Sequence, residues 1–230
     1  RYGREIPVYI KMYVPHPCLL EESLALQQIN SPSVSVPFIP HLSTVQMETV
    51  AQIEACLARN EPFLLGDGTG TGKGRIIAGL LSRWRGRSMW VTTNARLRIV
   101  AQQELDIVGA KGVVVESYRR VSQDHVDMTV VVLDECHCRR ITQNKHISRL
   151  IASTNIVLSS ATWASSIDHL RSLGRLNPWR QYGDLGSMRM CTHSMPRSTL
   201  ESISMDMKAR GCLVSRHIST NNVSVAVRPI

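Results

Sequence analysis

One stretch constrains this chain more than any other: Phe63-Leu-Leu-Gly-Asp-Gly-Thr-Gly-Thr-Gly-Lys-Gly-Arg-Ile-Ile77. Glycines at 66, 68, 70, 72 and 74 separate a short apolar run from the start of an amphipathic helix. Glycine supplies positive φ and lets the backbone approach phosphate oxygens closely. The helix N-terminus then offers free N–H groups and the positive end of its dipole to an anion. Lys73 stands where its ammonium reaches β- and γ-phosphates. Gly68, Thr69, Gly70, Thr71, Gly72, Lys73, Gly74 and Arg75 are therefore the expected nucleotide-binding residues. Two positions depart from G-x-x-x-x-G-K-[ST]. Asp67 occupies the place of the first glycine, with Gly66 one residue earlier. Gly74 replaces the Ser/Thr whose hydroxyl ordinarily binds magnesium, and Thr71 offers the nearest hydroxyl. The competing reading is a glycine-rich turn without a ligand; the strand, the helix and the lysine argue against it.

Around this loop the apolar residues fall into a strand-then-helix rhythm. Short runs at Phe63–Leu65, Met89–Val91, Val113–Val115, Val130–Leu133 and Ile156–Leu158 read as buried strands. Helical spacing covers Ser43 to Arg59 (Val45, Val50, Ile53, Cys56, Leu57), with Ser43 as its N-cap. Further helices are expected over Ile76 to Trp84 and Leu97 to Val108. Continuous apolar strands alternating with amphipathic helices predict an α/β fold, its mostly parallel sheet covered by helices on both faces. Ligands of such sheets bind at the carboxyl ends of the strands. Residues 1–40, with prolines at 7, 15, 17, 32, 37 and 40, read as an extended proline-rich arm. Residues 41–181 form the expected nucleotide-binding domain, and 182–230 a helical C-terminal extension. Within the extension, Ser198 to His217 is expected to be helical, and Asn222 to Val227 could begin a strand.

A second motif lies where that architecture requires it. The strand Thr129-Val-Val-Val-Leu133 ends in Asp134-Glu-Cys-His137. In P-loop NTPases an aspartate at the end of a neighbouring strand holds Mg2+. The adjacent Glu135 is placed to orient and deprotonate an attacking water, and His137 to sense the state of the nucleotide. Cys136, Cys138 and His146 invite a zinc reading, but the two thiols are too close in sequence for a usual structural site. A third segment, Ile156-Val-Leu-Ser-Ser-Ala-Thr162, ends a strand with small hydroxyl residues. Ser160, Ala161 and Thr162 suit a relay that bonds the acidic motif.

Composition narrows the partners. The net charge is +9 and the pI about 9.6, which favours a polyanion, since Lys and Arg gain affinity by displacing counterions. Aromatics are 5% of the residues, too few to make base stacking the main binding device. The six cysteines include no C-x-x-C pair and two lie in the acidic segment. An intracellular, reducing compartment, nuclear or cytoplasmic with organelles left open, fits better than a disulfide framework. No apolar run approaches the roughly 18 residues of a membrane span, so no membrane partner is expected. Arg1 rather than Met opens the sequence, so an upstream start and a targeting peptide stay open.

The order Gly-Asp-Gly-Thr-Gly-Thr-Gly-Lys-Gly-Arg, Asp-Glu-Cys-His, Ser-Ser-Ala-Thr resembles the first RecA-like domain of superfamily 2 DExH helicases. More narrowly it resembles the strawberry notch family of helicase-like proteins, whose phosphate loop commonly reads G-D-G-x-G-x-G-K-G-R; Gly74 is then a family feature. Val14-Pro-His-Pro17, Leu42-Ser-Thr-Val-Gln46 and Met205-Asp-Met-Lys-Ala-Arg-Gly211 extend the similarity over nearly the whole chain. The resemblance implies ATP and Mg2+ as ligands, with Lys73, Asp134 and Glu135 as catalytic groups and Asp134 on the metal. It also implies adenine recognition by Gln46, coupling through Ser160 and Thr162, and nucleic-acid contact around Asn94, Arg96 and Arg98. A solvated surface face is the equal alternative for those arginines. Trp163 departs from the glycine expected after Ser-Ala-Thr, which would alter coupling. A helicase motor needs a second RecA-like lobe to supply an arginine finger, and residues 163–230 are too few to form one. The expectation is a nucleic-acid-stimulated ATPase (DNA or RNA), slow unless completed by a second lobe or larger assembly. The competing expectation is a non-catalytic module that keeps the fold to bind nucleic acid or protein.

Overall fold

The computed structural model describes residues 38–125, 127–137, 144–163 and 204–216. The first helix, α1 (Thr44–Ala58), begins where Ser43 and Gln46 close a capping box. Ser43 Oγ accepts from the Gln46 N–H at 3.4 Å, and the Ser43 N–H donates to Gln46 Oε1 at 3.0 Å. Two helix donors that would otherwise go unpaired are satisfied this way. After α1 come β1 (Phe63–Leu65), α2 (Lys73–Arg83), β2 (Ser88–Thr92), α3 (Ala95–Ile107) and β3 (Val113–Ser117). Then follow β4 (Val130–Asp134), α4 (Lys145–Ser153), β5 (Asn155–Ser159) and β6 (Leu213–Val214).

The six strands form one sheet in the order β3-β2-β4-β5-β1-β6, every pairing parallel. Phe63 to Leu65, Met89 to Val91, Val130 to Leu133 and Ile156 to Leu158 are buried throughout, as strands covered on both faces must be. The connections from β1 to β2 and β2 to β3 run one way across the sheet, and that from β4 to β5 runs back. Right-handed crossovers therefore set α2 and α3 on one face and α4 on the other. This is the α/β architecture expected from the periodicity, with the strands within a residue or two of their expected positions.

The C-terminal segment corrects one expectation. Helix covers residues 204–209 but does not continue to 217. Gly211 takes φ +70°, and Leu213 and Val214 return as the edge strand beside β1. Helical spacing of the apolar residues does not reveal this, because a two-residue strand shows no alternation of its own. The proline-rich arm up to residue 37, the motif at Val14–Pro17, both ends of the expected helix (198–203 and 217) and the strand expected over Asn222–Val227 lie outside the described residues.

Candidate functional site

Three strand ends meet in one row. Leu65 of β1 and Asp134 of β4 both register with Ser159, the last residue of β5 between them. The phosphate loop therefore leaves the same carboxyl edge that carries the acidic motif and the Ser-Ala-Thr segment. Residues far apart in the sequence become neighbours because the sheet inserts β5 between β1 and β4.

The loop has two halves. In the first, parallel pairing runs on past β1: the N–H groups of Leu64, Gly66 and Gly68 donate to the carbonyls of Cys212, Val214 and Arg216 at 2.9, 2.7 and 2.7 Å. In the second half, Gly70 and Gly72 take φ of +84° and +82°, and the chain turns into α2. Gly72 is the N-cap residue and has no side chain to satisfy the first-turn donors, so those N–H groups receive no side-chain cap. Lys73 Nζ folds over the loop onto the carbonyls of Asp67 (2.9 Å) and Gly68 (3.0 Å). Thr71 Oγ1 donates to the Gly68 carbonyl at 2.8 Å, and Thr69 and Gly70 are exposed. Gln46 reaches the loop: a Cβ on Gly72 would collide with its Nε2. Arg75 is engaged elsewhere, with Glu104 Oε2 on α3 at 2.5 Å and the His41 carbonyl at 3.2 Å. Gly74 stands against that same Glu104, its missing Cβ 3.3 Å from Cγ.

Opposite Lys73, Asp134 accepts a hydrogen bond from Ser159 Oγ at 2.9 Å, and its backbone carbonyl accepts from Tyr118 OH at 2.8 Å. Burial pushes the Asp134 carboxyl above the ordinary range, and the Glu135 charge adds to the rise. The Ser159 hydroxyl and the positive charge of Lys73 oppose it. A carboxylate in this position gains from a cation. Glu135 adopts φ +53°, a left-handed conformation that costs a non-glycine residue on the order of 1 kcal/mol. That turn lets the Cys136 N–H donate to the Ser159 carbonyl at 3.0 Å. It also sets His137 Nδ1 2.8 Å from Ser160 Oγ and 3.3 Å from Glu135 Oε2. Ser160 closes the circuit: its N–H donates to the Leu65 carbonyl, and its hydroxyl oxygen accepts from the Thr162 N–H. Trp163 continues to the loop itself, since a Cβ on Gly66 would lie 2.5 Å from the indole Nε1.

The structure thus brings together Gln46, the loop from Gly68 to Lys73, Asp134, Glu135, His137 and the segment Ser160, Ala161, Thr162. Asn94 and Arg98 have local work. Asn94 caps α3 by accepting from the Leu97 N–H at 3.0 Å. Arg98 donates to the Val115 carbonyl and to Glu116, whereas Arg96 is exposed. Ser159 belongs to the third segment, but the sequence assigns it no role: alternation decides which of two consecutive serines faces Asp134 only once the register is known. Tyr118 and Arg216 carried no local signal at all. Of the thiols weighed for zinc, Cys138 lies outside the described residues, and Cys136 is buried and in no disulfide.

Comparison with known proteins bears on the family and the fold. A family model described as P-loop containing NTP hydrolase pore-1 matches residues 15–131 and 122–230. Strawberry notch homolog 1 of Rattus norvegicus is 24% identical over the whole chain, and the strawberry notch protein of Drosophila melanogaster 22%. FORGETTER 1 of Arabidopsis thaliana is 24% identical over 93% of the chain. The chain spans about a quarter or less of these relatives: 24%, 19% and 22% of their lengths. The Sulfolobus solfataricus SWI2/SNF2 ATPase core in complex with dsDNA superposes with a TM-score of 0.61 at 14% identity, over 81% of this chain and 47% of that one. A second structure, of the SWI2/SNF2 ATPase core domain from the same organism, gives 0.59 at 13% identity, over 85% and 47%. These likenesses establish a RecA-like P-loop ATPase fold for the parallel sheet. With the family model covering residues 15 to 230 and strawberry notch proteins similar along the full length, the chain belongs to the P-loop containing NTP hydrolase pore-1 family.

Proposed function

We propose that this chain is the ATP-binding first motor lobe of a DExH helicase-like ATPase stimulated by nucleic acid. The observation that carries the proposal is the single row of strand ends that sets Lys73 and its loop across Ser159 from Asp134 and Glu135. In this reading Lys73 leaves the Asp67 and Gly68 carbonyls for the β- and γ-phosphates, joined by the open N–H groups of the α2 N-terminus. Asp134 fits a magnesium ion, being a half-buried carboxylate whose charge is only partly offset by Ser159 and Lys73. A bound Mg2+ would supply charge neutralisation of the phosphate oxygens. Gly74 brings no hydroxyl, so the carboxylate carries the metal site with less help than usual. Glu135 orients and deprotonates the attacking water. Gln46, held over Gly72, presents its carboxamide to an adenine edge. The His137–Ser160 hydrogen bond links the acidic motif to the segment after β5, and through Trp163 back to Gly66.

A nucleic-acid partner, DNA or RNA, is supported by the net charge of +9 and by the likeness to a SWI2/SNF2 core that is in complex with dsDNA. Arg96 is the contact residue its exposure favours. A second RecA-like lobe or a larger assembly completes the site for turnover. The test is calorimetric titration with Mg·ATP of the wild type beside Lys73→Ala, followed by phosphate release with and without DNA or RNA. Micromolar binding that the variant loses, with turnover stimulated by nucleic acid once the second lobe is present, is the expected result. A folded wild type that takes up no Mg·ATP would leave the fold to a non-catalytic binding module.

A further inference from the structure

The one loop residue that breaks the usual glycine pattern is also the most completely buried charge in the site. Asp67 has no exposed surface, and its carboxylate is gripped by Arg216, itself only 4% exposed, from 149 positions away. Arg216 donates its backbone N–H to Oδ1 at 2.8 Å, and Nε donates to Oδ1 at 3.0 Å and to Oδ2 at 3.2 Å. A further guanidinium nitrogen, Nη2, bonds Oδ2. Its carbonyl accepts the Gly68 N–H, and Nη1 reaches the Val45 carbonyl at 3.5 Å, one residue before Gln46. Arg216 therefore touches the first half of the phosphate loop and the opening turn of the helix that carries Gln46.

The electrostatics give this contact a consequence for binding. The Asp67 backbone carbonyl accepts from Lys73 Nζ, so the residue whose carboxylate Arg216 holds also touches the lysine that would face phosphate. A buried carboxylate without its counter-charge would repel a polyanion there, and low-dielectric surroundings screen such repulsion poorly. We propose that Arg216 is a positioning residue for the phosphate loop, neutralising Asp67 so that the loop accepts a nucleoside triphosphate. This inference rests on the phosphate-site reading above and extends it: competence of the loop depends on the C-terminal segment being docked beside β1.

The test measures Mg·ATP and Mg·ADP binding by calorimetry for wild type, Arg216→Gln, Asp67→Asn/Arg216→Gln and Arg216→Lys, with circular dichroism for folding. Arg216→Gln should weaken Mg·ATP by at least about tenfold, and Mg·ADP by less, because repulsion scales with ligand charge. Adding Asp67→Asn should return Mg·ATP affinity to within about threefold of wild type, although it removes still more native bonds. Arg216→Lys, which keeps the charge and loses the fork, should fall between. A folded Arg216→Gln that binds as wild type overturns the proposal. So does a double variant as weak as the single, or an equal loss for both nucleotides, since either outcome means a purely structural contact. If Arg216→Gln does not fold, the neutral double variant decides: folded and binding upholds the role, folded and silent overturns it. A wild type that binds neither nucleotide sinks the phosphate-site reading itself, and the proposal with it.

Discussion

Gly72→Ala should damage both the stability and the function of the loop, by an amount the structure allows to be worked out. Gly72 sits at φ +82°, ψ 33° at the N-cap of α2. An alanine there adopts a left-handed backbone at a cost of about 1 kcal/mol. Its Cβ would also collide with Gln46 Nε2, so the glutamine side chain has to move. Gln46 is a flexible side chain, so the clash is relieved by swinging it away, which forfeits the 3.0 Å bond from the Ser43 N–H that closes the capping box. A capping bond of this kind contributes about 0.5–1 kcal/mol. The two terms sum to about 2 kcal/mol, or a fall in Tm of about 4–8 °C for a domain of this size. Thermal denaturation of wild type, Gly72→Ala, Gln46→Ala and the double variant separates them. In the Gln46→Ala background only the backbone term remains, so alanine at 72 should cost about 1 kcal/mol there. Mg·ATP affinity should fall with Gly72→Ala, because the first-turn N–H groups turn with the loop. A Gly72→Ala variant within about 0.5 kcal/mol of wild type would refute the left-handed cap. Equal costs in both backgrounds would refute the contact with Gln46.

Asp134→Asn should make the unliganded chain more stable at pH 7 while abolishing magnesium-dependent nucleotide binding. The folded-state pKa of Asp134 is raised, chiefly by burial, so ionisation opposes folding. That penalty is absent below the ordinary carboxylate pKa of about 4, grows as pH rises from there to the folded value, and is constant above it. The advantage of the asparagine variant in urea denaturation should therefore shrink between pH 7 and pH 4.5; a constant difference would contradict it. Ser160→Ala removes the 2.8 Å bond to His137. It should leave Mg·ATP affinity nearly unchanged while reducing stimulation of turnover by nucleic acid, by roughly fivefold or more in a chain completed by its second lobe. Equal loss of binding and stimulation would argue against a relay. Cys56 and Cys212 are pushed up to about 12 and about 11, in each case mainly by burial, so both remain protonated at pH 8. Iodoacetamide at that pH should leave both unmodified until the chain unfolds, read by peptide mass spectrometry; rapid labelling of the native chain would contradict their burial.

What is local was legible along the chain. Spacing of apolar residues located the strands through Ile156–Leu158, because a buried parallel strand needs a continuous apolar run and a covering helix needs a 3.6-residue period. Ser43 was legible as a cap because capping chemistry spans three residues. The loop from Gly66 to Lys73 and the Asp134–Glu135 pair were legible because each is a compact group of residue types suited to one chemistry. Whatever depends on strand order and register came from the assembled fold. Only the insertion of β5 between β1 and β4 makes Ser159, rather than Ser160, the partner of Asp134. Only the close approach of Trp163 and Leu213 in the folded sheet explains why position 66 favours glycine. Arg98, expected at a nucleic-acid surface, bonds Glu116 because β3 lies alongside α3. The pairing of Asp67 with Arg216 spans 149 positions and hangs on a two-residue strand too short to announce itself in any periodic pattern. Short-range propensity encodes the elements, but a buried ion pair forms only where the folded sheet brings two distant segments into one low-dielectric place.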